Sequence, residues 1–171
     1  MTTLYLGIRV LHILMGALWV GLAVFVAFFL MPAVGDSGPE GGKVMAALER
    51  RRFVVYAPVV DALTVRSGLW LYWRYTAGFS ATIAASHAGM AFGLGGALGI
   101  VSAVLGGAVL SRAAATATAL FREAAGLPEG PTRAAKLASA QQFRARAQAV
   151  ARLVAVLLII TVGLMSVAIL I

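Results

Sequence analysis

The chain has two histidines, and each opens the same pattern: His12-Ile13-Leu14-Met15 and His87-Ala88-Gly89-Met90. Arg9 stands one helical turn before His12, and Asp61, Arg66 and Arg74 follow in the middle of the chain. Imidazoles from two helices are a standard way of holding iron porphyrin, so His12 and His87 read first as the axial pair of one b-type haem. Arg9, Arg66 and Arg74 then become partners for its propionates. Gly89 and Gly93 would leave room for a flat macrocycle beside His87, and Trp19, two turns from His12 on the same face, would pack on the ring edge. The repeated pattern also allows copper. A residue three positions on shares a helix face, so Met15 and Met90 could join the histidines in a site whose thioether and imidazole donors suit Cu(I). A third reading gives the histidines no cofactor: each hydrogen-bonds a neighbouring helix. Asp61 reads as the counter-ion of Arg66, with a proton-relay carboxylate as its other role. Hydrolytic chemistry finds no support, for the sequence has no His-Glu-x-x-His motif and no glycine loop ending in lysine.

These residues sit in a very apolar chain. Of 171 residues, 61% are hydrophobic and 12% charged, and the mean hydropathy is +0.95. That is the profile of a polytopic membrane protein. A helix crosses the hydrocarbon with about 20 apolar residues, so four spans use most of the chain. Ionisable groups inside such spans are costly and point to function by default. The net charge of +8 is explained by basic residues beside a bilayer, and nucleic acid is not an expected partner. Cysteine is absent, which excludes disulfides and thiolate metal sites. The first apolar stretch is too long for a signal peptide and is expected to remain as a span.

The expected fold class is all-α: a four-transmembrane-helix bundle forming one membrane domain over 1–171, with spans near 4–34, 53–75, 81–110 and 151–171. Span two carries Pro58, Asp61, Thr64, Arg66 and Ser67, and ends in an aromatic belt from Trp70 to Tyr75. Span three is rich in glycine, which permits close helix approach in a membrane. Beyond Leu110 the sequence turns polar and alanine-rich, breaks at Gly126-Leu127-Pro128-Glu129-Gly130-Pro131, and resumes as a helix capped by Thr132. Spans three and four should therefore project as a helical hairpin over 111–150, a candidate dock for other membrane subunits.

Both long connections are basic: Lys43 and Arg50–Arg52 in the first, Arg112, Arg122, Arg133, Lys136, Arg144, Arg146 and Arg152 in the third, against Glu123 and Glu129. The positive-inside rule places them, hairpin included, in the cytoplasm and both termini outside. His12, His87 and Arg66 then fall at similar depth in the outer leaflet.

The motif Arg9-x-Leu11-His12-x6-Trp19-Val20-Gly21 resembles the opening helix of the CopD-like superfamily of small bacterial integral membrane proteins, which includes HemJ-type protoporphyrinogen oxidases. Thr64-Val65-Arg66-Ser67-Gly68-Leu69 is similar to a segment of the same group, and the resemblance is clear over residues 1–70. It implies that His12 corresponds to the first-helix histidine used for haem and His87 to a third-helix histidine, in a multi-pass protein of the bacterial cytoplasmic membrane. Span four departs from the HemJ pattern in having no lysine after Leu153. The architecture is also similar to that of four-helix di-haem cytochromes b, but two histidines allow one bis-histidine haem at most.

Overall fold

Long runs of alanine, leucine, valine and glycine leave a helix as the way to satisfy the backbone within lipid. The computed structural model describes residues 2–170, and every regular element in it is helical. Helix α1 (Thr2–Asp36) passes through a π-helical turn at Val26–Leu30. After a 3-10 turn at Gly38–Glu40 come α2 (Gly41–Arg50) and α3 (Phe53–Tyr75). The short α4 (Ala81–Ala84) leads to α5 (His87–Ala125), which has a second π-helical turn at Leu105–Leu110. Helix α6 (Pro131–Val167) closes the chain.

By length and composition α1, α5 and α6 can each cross a membrane. With 35, 39 and 37 residues they reach about 52–58 Å, well beyond the roughly 30 Å of hydrocarbon. Helix α3, carrying Asp61, Arg66 and Arg74, qualifies only together with α2, from which it is bent by 61°. Arg52 makes that bend in the left-handed conformation, φ 58°.

The four long helices pack in chain order around a ring: α1 on α3, α3 on α5, α5 on α6 and α6 back on α1. Helices α1 and α5 are thus diagonal. Trp19, Val60, Val154 and Leu158 fill the centre, and Ala27, Ala151 and Ala155 continue it. Gly95 brings α5 close to α6: a Cβ there would stand 3.2 Å from Met165 Cγ and 3.4 Å from the Thr161 carbonyl oxygen. Large apolar side chains such as Leu14, Leu18, Phe29, Leu94 and Ile159 point outward. So much outward apolar surface is what lipid, rather than water, accommodates.

Past Ser111, α5 and the first half of α6 form a hairpin with Ala113, Ala117, Ala124, Ala140 and Ala147 buried between them. Lys136 pairs with Glu123 and Arg133 with Glu129 near its tip. Helix α6 starts at Pro131, one residue before the cap expected at Thr132. Proline suits a first helical position because its φ is already set and it has no N–H to satisfy. Arg144 reaches from α6 to the last turn of α1, lying against Gly35.

A continuous third span was expected from residue 81, but the chain breaks at Ala85–Ser86. Ser86 caps the new helix, its Oγ accepting from Gly89 N at 3.1 Å and donating to the Ile83 carbonyl at 2.7 Å. His87 is therefore the first residue of α5, not a residue one or two turns inside it.

Candidate functional site

His12 lies on the face of α1 turned toward α3. Its Nδ1 stands 3.0 Å from the Thr64 carbonyl oxygen and 3.2 Å from Ser67 Oγ. A carbonyl oxygen only accepts, so Nδ1 carries the proton and donates it, leaving the neutral ring's lone pair on Nε2. Ser67 Oγ donates to the Leu63 carbonyl at 2.6 Å and accepts from His12. The ring fits because Gly68 has no side chain: a Cβ there would stand 2.8 Å from His12 Cε1 and 3.3 Å from Nδ1. One turn along α1, Gly16 meets Thr64, whose Cγ2 would lie 3.7 Å from an added Cβ. Thr64 and Ser67 are both buried. The niche is thus built by small and hydroxyl residues at positions 64, 67 and 68 of one helix and 16 of the other.

Asp61 continues the α3 face one turn from Thr64, and its Oδ1 is buried with no hydrogen-bond partner among the described residues. The expected ion pair with Arg66 is not formed. Five residues turn a helix by about 500°, so Arg66 lies roughly 140° away around α3, where it is exposed.

The remaining expected residues are placed elsewhere. His87 is exposed at the start of α5, diagonal to α1. Met90 is 47% exposed, while Met15 packs against the central cluster of Trp19, Val60, Val154 and Leu158. The two histidine–methionine pairs therefore do not form one donor set. Trp19 belongs to that same core rather than to an open edge. The glycines beside His87 are also occupied. Tyr72 Oη donates to the Gly89 carbonyl at 3.3 Å and would stand 2.9 Å from a Cβ at Gly93. A Cβ at Gly89 would strike the Ile83 carbonyl. Arg74 lines a cavity of about 290 Å³ with Trp73, Ala77 and Gly78, about 120° around α3 from Gly68. Arg9 is exposed one turn from His12.

A metal-ligating histidine presents one nitrogen's lone pair while the other N–H is held by a carbonyl or carboxylate. His12 has the second half of that arrangement: its Nδ1–H is held by the Thr64 carbonyl, and its Nε2 makes no hydrogen bond among the described residues. His87 stands exposed at the start of α5, the helix diagonal to α1, and shares no hydrogen-bond partner with His12 among the described residues. Among the described residues no group of three or more His, Asp or Glu side chains is gathered to hold a metal ion. Thr64, Ser67 and Gly68, three and four residues apart, share one face of α3, a spacing that could have pointed to the niche; nothing in the sequence singles out Tyr72 from the aromatic belt around it. No family model matches the chain, and neither does any curated protein or solved structure.

Proposed function

We propose that the chain crosses the bacterial cytoplasmic membrane four times, both termini outside, and binds one b-type haem through His12 as a one-electron carrier or cytochrome-like subunit. The α2–α3 pair supplies the fourth crossing, and the basic connections set the orientation. The observation that carries the haem reading is the His12–Thr64 hydrogen bond, which orients the imidazole and leaves Nε2 free to ligate. Haem, when bound, supplies the redox chemistry. The chain's own part is to fix the ring through Thr64 O and Ser67 Oγ, and to offer the Arg9 guanidinium one turn nearer the end of the helix as a partner for a propionate. His87 is not needed as a ligand in this reading.

The test is the absorption spectrum of the detergent-purified protein produced with added haem precursor. A Soret band that His12→Ala abolishes and His87→Ala leaves in place supports it. A colourless wild-type protein ends it, and a band lost in both variants restores the two-histidine site. The second reading is a cofactor-free accessory subunit, favoured by the same two contacts at His12, which join α1 to α3 without any ligand. It expects no pigment under any condition and a partner released by deleting the hairpin.

A further inference from the structure

We infer that the junction of the hairpin with spans three and four is a binding site for the phosphate ester of an anionic membrane lipid. Here Arg112 and Thr116 of α5 and Arg146 and Phe143 of α6 line a surface cavity of about 320 Å³ together with Ala108 and Val109 from the apolar part of α5, both guanidiniums exposed. The inference goes beyond the haem reading and needs only α5 and α6 in the bilayer.

Three features define the ligand. The cavity lies where α5 changes from the apolar Leu105–Leu110 turn to Ser111 and Arg112, the level of a headgroup. Its two guanidiniums form no ion pair among the described residues. Within α5 and α6 there is no Asp or Glu from 87 to 122 or from 131 to 167, and Asp36, beside the Gly35 that Arg144 lies against, pairs with neither guanidinium among the described residues. The hairpin's two carboxylates, Glu123 and Glu129, are engaged with Lys136 and Arg133 near the tip. Eleven residues separate Arg112 from Glu123, about 16 Å along the helix. With no carboxylate paired to either guanidinium among the described residues, the site is open to an anion from outside the chain. Two arginine forks match the geometry of phosphate oxygens, and the Thr116 hydroxyl adds a donor. Ala108, Val109 and Phe143 give the first acyl carbons an apolar wall. Basic pockets between transmembrane helices take lipid headgroups on this principle. The neighbouring arginines are otherwise placed: Arg144 lies against Gly35, and Arg152 stands about 120° around α6 from Arg146.

The test uses the full chain in nanodiscs of phosphatidylcholine with increasing phosphatidylglycerol, reading the lipids retained on gentle release into native mass spectrometry. Wild type is expected to hold one phosphatidylglycerol in preference to phosphatidylcholine. The pair Arg112→Gln with Arg146→Gln should weaken that retention about tenfold or more, while Arg122→Gln with Arg152→Gln, removing the same charge, leaves it unchanged. Equal loss in both pairs means diffuse attraction and overturns the site. The wild-type arms stand without any variant: equal retention of the two lipids overturns the proposal, and inorganic phosphate displacing the bound lipid at millimolar concentration overturns the lipid as the source of the anion.

Discussion

Gly68→Ala is the substitution that most directly probes the contact between α1 and α3. A Cβ at this position would stand 2.8 Å from His12 Cε1, 3.3 Å from Nδ1 and 3.6 Å from Nε2. Ordinary carbon–carbon contact lies near 3.5–4.0 Å, so the ring must retreat by about 1 Å. That movement stretches the 3.0 Å bond to the Thr64 carbonyl beyond useful length. Overpacking of this size costs about 1–3 kcal/mol, and the lost interhelical bond adds about 0.6 kcal/mol. Alanine returns up to about 1 kcal/mol of helix propensity. The net expectation is destabilisation by about 1–2 kcal/mol. Gly21→Ala on α1 is the control, since a Cβ there meets nothing within 4 Å; it should be neutral or slightly stabilising. Reversible unfolding in mixed micelles, followed by tryptophan fluorescence, measures both. A double-mutant cycle supplies the decisive comparison: in a His12→Ala background the clash is gone and Gly68→Ala should no longer destabilise. Equal effects of Gly68→Ala with and without His12 would show that the ring does not occupy this niche.

Asp61→Asn should raise stability by about 1 kcal/mol, since it replaces a carboxylate having one buried oxygen without a partner by a neutral amide of the same shape; a fall in the unfolding midpoint would mean that the carboxylate has an essential partner. Ala140→Leu inserts three carbons at a fully buried hairpin position and should cost about 1–3 kcal/mol, seen as early proteolysis of the hairpin. Glu123→Gln removes the pair with Lys136, whose side chains are 55% and 34% exposed. The loss should stay below about 1 kcal/mol and vanish in concentrated salt; a salt-independent loss would contradict a solvated pair.

The helical class was legible because little else satisfies a backbone inside lipid, and the length of the apolar runs shows at once that several helices can cross. The helix break before His87 was harder. Ser86 with Gly89 three residues later is a capping geometry, but in an apolar, glycine-rich run the cap competes visually with a continuous span. The close approach that makes Gly89 obligatory is to a carbonyl of the preceding turn, which no spacing reveals. Depth along the membrane also gave too little. His12, His87 and Arg66 share a layer in the sequence reading, yet the rotation of each helix about its axis decides what meets what. Arg66 was lost to the site by two residues, about 200° from both Thr64 and Gly68. The π-helical turns at Val26–Leu30 and Leu105–Leu110 shift that rotation further along, and neither carries a sequence signal.

A histidine that joins two helices and a histidine that holds iron make the same hydrogen bond at Nδ1, so His12→Ala removes contact and ligand together. His12→Asn removes the ligand and keeps the contact. The asparagine amide keeps an N–H donor on a short side chain that can still reach toward the Thr64 carbonyl, but it offers iron no imidazole lone pair. Interhelical polar bonds in membranes average about 0.6 kcal/mol, so His12→Asn should unfold within about 1 kcal/mol of wild type. If His12 is an axial ligand, the same preparation loses its Soret band completely while circular dichroism and oligomeric state remain those of wild type. If the histidine serves only the α1–α3 contact, no variant at this position changes the visible spectrum and His12→Ala alone lowers stability. A Soret band of full intensity in His12→Asn would remove His12 as the ligand. The buried N–H donor would then be the whole reason for a polar ring in so apolar a helix.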